Sequence, residues 1–204
     1  MWPFTRFAVP VTLILSFTLL GSPALAGEPR THDGFFLRLS GGGGEAGSEF
    51  DVPGLETEYR GSSGDLNIAV GAVVTGRLAL HATFFGWTVS NPTLDIEGVG
   101  SDEVEGTLSI PAFGGGLTYY FMPVNLYVTG SLGSASLNFD GGGVQGESGT
   151  GVMGELAVGK EWWVGKSWGL GAAAAFGFHS IPDGRIDESW SGSSWSIRFS
   201  ATLN

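Results

Sequence analysis

One histidine of this chain lies beside a serine and close to several acids, which are the residue types of a hydrolytic triad. His179 is followed directly by Ser180, and Asp183, Asp187 and Glu188 come shortly after. A serine nucleophile needs its base within hydrogen-bond distance. Neighbouring residues of a strand point to opposite faces, so His179 and Ser180 could pair only where the strand has ended. The sequence therefore leaves hydrolysis as an alternative and assigns no catalytic residue.

Two groups of acids have the oxygen ligands that Ca²⁺ or Mg²⁺ prefers. The first is Asp102, Glu103 and Glu105, and the second is the group after His179. Neither group has the regularly spaced Asp or Asn residues and the glycine of a dedicated calcium loop. Solvation of an exposed surface is the role we predict for them, and we predict no metal site and no cofactor.

Six further ionisable residues lie on segments in which apolar and polar residues alternate, and each shares its face with small or polar residues. They are Arg38, Arg77, His81, Glu155, Glu161 and Arg198. An unpaired buried charge costs several kcal/mol. If this face points into a barrel, the six residues are predicted to form a structural ion-pair network rather than a proton or ion path. Whether the interior conducts ions is left open.

Eight such alternating segments follow one another, and the connections between them are in turn long and short. We predict strands at 34–42, 64–74, 77–89, 107–121, 125–138, 150–163, 168–179 and 194–203. Tight turns at one rim and long loops at the other are typical of an antiparallel up-and-down barrel that crosses a bilayer. The long connections carry most of the acids and are predicted to be solvated loops.

Aromatic residues cluster near the ends of these segments, as the girdles of membrane barrels do. The predicted girdle consists of Trp87, Tyr119, Tyr120, Trp162, Trp163, Trp168 and Trp195. The last segment alternates Trp195, Ile197 and Phe199 with Ser196, Arg198 and Ser200. A polar face of this kind would be unstable in lipid, so it is predicted to point inward.

Composition narrows the class further. The chain has 204 residues, 36 glycines, no cysteine, 9 Lys and Arg together and a net charge of -11, which disfavours nucleic acid as a partner. Residues 1–26 have one basic residue, an apolar stretch and the ending Ala24-Leu25-Ala26, which predicts a cleavable signal peptide. The mature chain, 27–204, is predicted to be one barrel domain without a disulfide framework.

The alternating segments, the short and long connections and the final strand resemble the small eight-stranded outer-membrane barrels of the OmpA/OmpX type. This resemblance implies an all-β transmembrane barrel in the cell outer membrane, with long loops outside the cell and both termini in the periplasm. It also implies contact with outer-membrane lipid, lipopolysaccharide and the barrel assembly machinery, and leaves an unidentified extracellular ligand open.

The expected function is therefore that of a non-enzymatic barrel that contributes to envelope integrity or surface interaction through its acidic loops. Two alternatives stay open. Some barrels of this size modify lipids, and the residues around His179 are the candidates for that chemistry. A soluble lipocalin-like carrier would instead place apolar residues inside and polar residues outside.

Overall fold

The computed structural model describes residues 32–52, 55–96, 98–141, 144–184 and 188–204. The predicted signal peptide, 1–26, lies outside the described residues. Within those residues, no helix has the length and apolar character needed to cross a membrane.

The described residues form twelve β-strands. Their bounds are β1 Phe35–Val52, β2 Leu55–Thr75, β3 Leu78–Ser90, β4 Thr93–Ile96, β5 Gly100–Glu103, β6 Thr107–Phe121, β7 Leu126–Ala135, β8 Asn138–Gly141, β9 Val144–Glu147, β10 Gly151–Trp163, β11 Trp168–Pro182 and β12 Ser189–Leu203. Four of them, β4, β5, β8 and β9, are short. The other eight are long enough to form the wall of a barrel.

The eight long strands close into an antiparallel barrel. Each pairs with the next along the chain, from β1 through β2, β3, β6, β7, β10 and β11 to β12. The last strand then pairs with the first, with Leu203 opposite Leu37 and Phe199 opposite Gly41. The predicted eight-stranded, antiparallel up-and-down barrel is thereby confirmed.

Alternation along each strand decides which side chains face out. On β11 and β12 the residues Leu170, Phe176, Ile197 and Phe199 are exposed, and Phe199 has 72% of its surface accessible. Arg198, between two of them, has 5%. The apolar face is thus outside and the polar face inside, which is the pattern of a barrel in lipid and the reverse of a lipocalin.

The two ends of the barrel differ. The connections β2–β3, β6–β7 and β10–β11 are tight turns and define the short-turn end. At the opposite, long-connection end, β1 pairs with β12 as far as Glu49 and with β2 as far as Val52. The prediction of a solvated loop at 43–63 is therefore corrected, because the described residues of this segment continue the wall as paired extensions of β1 and β2.

Two other predicted loops also contain strands. Within 90–106, β4 pairs with β2 and with β5, so the sheet widens beyond the barrel. Within 139–149, which the glycine content predicts to be mobile, β8 pairs with β6 and with β9. Backbone pairing satisfies the peptide groups of these glycine-rich and acidic segments, although their side chains show no apolar alternation.

Candidate functional site

A group of three charges lies inside the barrel near its middle. Arg198 donates to both carboxylate oxygens of Glu155, with Nη1 2.8 Å from Oε1. The same guanidinium pairs with Asp65, whose Oδ2 accepts from Nη2 at 2.6 Å. Asn67 donates to Glu155 Oε1 at 2.9 Å. One cation between two carboxylates gives this group a formal charge of minus one.

A second group surrounds Arg38 nearer the short-turn end. Its Nη2 lies 3.0 Å from Glu161 Oε1 and donates to the hydroxyl of Tyr120 at 2.6 Å. Thr202 donates to the same Glu161 oxygen at 2.7 Å. The guanidinium carbon is 4.0 Å from the ring centroid of Tyr127, within the range of a cation–π contact. The opposite charges of Arg38 and Glu161 and these hydrogen bonds thus compensate the cost of burying the pair.

His81 and His32 extend this second group. His81 Nε2 lies 3.2 Å from Thr118 Oγ1, and its ring stacks on Phe36. At the short-turn end His32 stacks on Tyr120 with ring centroids 3.5 Å apart, and its Nε2 lies 2.8 Å from Asn125 Oδ1. These rings fill the interior at the short-turn end.

For the second and third strands the alternation predicts an interior of small and polar residues. The half of the interior toward the long-connection end is instead apolar. A cluster of buried residues occupies it. Its members are Ala46, Phe85, Trp87, Val89, Leu108, Ile110, Ala112, Ala135, Leu137, Met153 and Ile181. We call this set the apolar plug. Together with the two charged groups it fills the barrel along its length, as expected for eight strands.

His179 also faces the interior. Its Nε2 lies 3.0 Å from Ser48 Oγ, and both residues are buried. Ser180, the serine that the sequence places beside it, is exposed on the opposite face. The hypothetical pairing of His179 with Ser180 is therefore corrected, because the strand continues to Pro182 and keeps the two side chains apart.

Five of the six residues predicted for the ion-pair network face the interior, and they fall into the two groups above rather than one. Arg77 is the exception and is corrected. It lies exposed in the turn between β2 and β3, where alternation no longer applies, and its carbonyl oxygen accepts from the backbone nitrogen of Tyr120.

The predicted girdle is also divided. Tyr119, Trp162, Trp168 and Trp195 are exposed on the outer face. Trp163 is half-buried and lies against His32, with ring centroids 5.1 Å apart. Two assignments to the girdle are corrected. Trp87 belongs to the apolar plug, and Tyr120 forms hydrogen bonds with Arg38 and Glu161 inside the barrel. Both have inward parity, which outweighs their position near a strand end.

Four interior residues that contact these side chains are not among the six predicted for the network. Asp65 and Asn67 have the inward parity of β2 and contact the Arg198 group, so alternation alone could have found them. Tyr120 could have been found by the same argument. Ser48 could not, because it lies in a segment that the sequence predicts to be a loop.

A cavity of about 180 Å³ opens above the apolar plug, among the extensions of the strands. Three aromatic residues, Tyr59, Phe139 and Trp190, line it together with Leu108 and Leu137. Asp183, Glu147, Ser148 and Gly146 complete the wall. We call this cavity the vestibule. The sequence provides no guide to this cavity, since most of its wall comes from segments predicted to be loops.

Comparison with known proteins bears on the fold. No family model and no curated protein matches the sequence. Among solved structures, Neisserial surface protein A (NspA) aligns over 83% of this chain and 96% of its own, with 13% identity and a TM-score of 0.56. OprG of Pseudomonas aeruginosa aligns over 85% and 98% at 13% identity and a TM-score of 0.48. Ail of Yersinia pestis aligns over 83% and 99% at 13% identity and a TM-score of 0.43.

The alignment with NspA agrees with the strand pairing of the present chain. The structure itself shows both the closure of β12 on β1 and the outward apolar face. The chain therefore shares its fold with the small eight-stranded outer-membrane β-barrels.

Proposed function

We propose that the protein is a non-enzymatic outer-membrane barrel whose long-connection end faces the outside of the cell and mediates surface interaction. The observation that carries this proposal is the extension of the wall beyond its apolar belt. Residues 45–52 of β1 alone amount to about 25 Å of strand at roughly 3.3 Å per residue. A stiff, paired extension of this length supports a role in contact with partners.

The belt itself has the height that a bilayer requires. On β11 the outward side chains are apolar from Trp168 to Phe178, and the next outward residue is Ser180. A tilted strand of about 9–11 residues crosses the hydrocarbon core. On β12 the belt ends at Trp195, whose indole nitrogen lies 3.3 Å from Glu45 Oε2. This supports integral insertion with the extensions in water.

Acidic side chains are frequent on the extensions. Exposed carboxylates include Glu45, Asp102, Glu103, Glu105 and Glu188. Arg60 contributes a cation, which pairs with Asp95 at 3.4 Å and with Glu58 at 3.8 Å. An acidic surface favours cationic partners and disfavours anionic ones. The same charge keeps the projecting hairpins soluble.

The filled interior supports a structural role for the charged groups. Arg38 and Arg198 each have carboxylates within hydrogen-bond distance, and the apolar plug lies between them and the vestibule. Ser48 and His179 are buried inside and not on the lipid-facing wall. A lipid substrate in the bilayer would have no direct access to them.

Orientation is tested with an epitope tag in intact cells. A tag at Gly98, exposed between β4 and β5, should bind antibody without permeabilisation. The matched control is a tag at Gly76, exposed in the β2–β3 turn, which should bind antibody only after permeabilisation. Labelling of Gly76 in intact cells would contradict the proposed orientation.

Function is tested by complementing a deletion strain. The variant D102N/E103Q keeps the barrel and removes two exposed charges, whereas K166Q changes one exposed charge at the short-turn end. We expect the first variant to lose surface adhesion while keeping wild-type detergent resistance, and K166Q to restore both. Full adhesion with the first variant would contradict a role of the acidic extension in surface interaction.

A further inference from the structure

The vestibule has an aromatic wall built from three different connections. Tyr59 lies on the extension of β2, Phe139 on β8 and Trp190 on β12. The ring centroids of Tyr59 and Trp190 are 5.8 Å apart, and those of Tyr59 and Phe139 are 6.3 Å apart. Trp190 also stacks on Phe50 at 4.6 Å. These contacts hold the rings in place, so the wall is preformed.

Two carboxylates belong to the same cavity. Asp183 Oδ2 accepts from Trp190 Nε1 at 3.1 Å, which fixes the carboxylate against the edge of the indole. Glu147 lies at the exposed mouth. Among the described residues that line the cavity, none is Lys or Arg. The nearest arginine in sequence to Tyr59 is Arg60, which has the opposite parity and pairs with Asp95.

Aromatic faces and carboxylates together select one ligand class. A ring face attracts a cation within about 6 Å of its centroid, most strongly for Trp and Tyr. Burial raises the pKa of Tyr59, so its ring is neutral and adds no charge. A neutral apolar ligand would use the rings but would bring no opposite charge to the carboxylate of Asp183. An anion would be repelled by both carboxylates.

The size of the cavity limits the ligand further. Its volume of about 180 Å³ is below the range of about 300–1,000 Å³ that accommodates drug-sized molecules. Leu108 and Leu137, both buried, form its floor and belong to the apolar plug, so the cavity does not continue into the barrel. The occupant must therefore be small and enter from the long-connection end.

We propose that the vestibule is a binding site for a small organic cation of the quaternary ammonium class, held by the rings of Tyr59 and Trp190 and by the carboxylate of Asp183. The proposal rests on the proposed function only for access in the cell, where this end must face outside. Binding to the purified barrel does not depend on orientation. Failure of the epitope experiment and failure of binding are therefore separate results.

The test uses the refolded full barrel in a maltoside detergent, because phosphocholine and amine-oxide detergents carry competing headgroups. Calorimetry compares choline with 3,3-dimethylbutan-1-ol, its neutral isostere in which carbon replaces the ammonium nitrogen. We expect saturable binding of choline and at least about tenfold weaker binding of the alcohol, since a desolvated cation–π contact is worth that much. Equal affinity for both probes, or no saturable heat with choline at up to tens of millimolar, would overturn the proposal.

Two matched variants locate the site. D183N removes the charge and keeps an acceptor for Trp190, whereas D95N removes the same charge at the same end but outside the vestibule. We expect D183N to weaken choline binding about tenfold and D95N to leave it unchanged. Y59L should also weaken it by a similar factor through loss of a ring. An equal effect of D95N and D183N would show general charge attraction and overturn the site. Heat-modifiable migration on gels verifies that each variant has folded.

Discussion

Arg198 lies between two carboxylates inside the barrel, so its removal leaves both of them without a cation. In R198M, Glu155 and Asp65 would be buried close together without a cation. Breaking a buried ion pair in this way costs about 3–5 kcal/mol. We expect R198M to unfold at a lower urea concentration than the wild type, measured by tryptophan fluorescence of the barrel refolded in vesicles.

Two controls separate the buried pair from charge in general. R60M removes an exposed arginine with two acidic neighbours, and it should change the free energy of unfolding by only about 0–1 kcal/mol. The triple variant D65N/E155Q/R198M removes every charge of the group and should recover part of the loss. If R198M matches the wild type, or the triple variant is no more stable than R198M, the three residues do not act as one group.

Residue parity explains which interior residues the sequence could identify. Four of the predicted residues share their face of the strand with polar or small residues, while the other face is apolar. This alternation identifies Arg38, Glu155, Glu161 and Arg198 as interior residues. Tyr120 was predicted for the girdle because aromatic residues also occur at rims. The position requires a polar group and a large side chain, and Tyr120 provides both. Its hydroxyl forms hydrogen bonds with Arg38 and Glu161, and its ring fills the lumen.

Strand β1 shows why the elements are longer than the alternation indicates. Its apolar alternation stops at Gly41, where glycines and acids begin, yet the strand continues to Val52. Beyond the apolar belt no outward apolar face is required, and backbone hydrogen bonds to β12 and β2 continue the ladder. The periodicity of the sequence therefore identifies only the part of each strand within the apolar belt. It does not identify the strand extensions that form the vestibule.

Two glycines of β1, Gly42 and Gly44, are required by a close approach to β12. A Cβ at Gly42 would overlap the carbonyl oxygen of Ile197 on the neighbouring strand, whereas a Cβ at Gly41 would meet the nearest atom, Asp65 O, at 3.7 Å. Overpacking of this kind typically costs about 1–3 kcal/mol.

We therefore expect G42A to lower the free energy of unfolding by about 1–3 kcal/mol and G41A to leave it nearly unchanged. The two variants differ by one position and add the same methyl group, so a difference between them reports the close approach. The measurement is equilibrium unfolding in urea from vesicles. Equal stability of G42A and G41A would mean that β1 and β12 separate to accommodate a side chain at no cost.

At the scale of the whole molecule, three zones follow one another along the barrel axis. The first is the apolar belt around two groups of buried charges, the second is the apolar plug within the wall, and the third is the acidic extension with the vestibule. The outer face changes from apolar to polar between Phe178 and Ser180 on β11. This change marks where hydrocarbon is expected to end.

The position of that boundary is testable with one charge at two depths of the same strand. Ala174 and Ser180 both face outward on β11, the first within the apolar belt and the second beyond it. An arginine on the lipid face costs about 2–4 kcal/mol at the bilayer midplane and about 0–1 kcal/mol near the interface. We expect A174R to lower the free energy of unfolding from phosphatidylcholine vesicles by about 2–4 kcal/mol. S180R should stay close to the wild type. In a detergent micelle, which adapts its shape, the difference should shrink. If the two variants are equally stable in vesicles, the outer face of β11 does not lie against hydrocarbon, and the membrane-spanning orientation of the apolar belt is wrong.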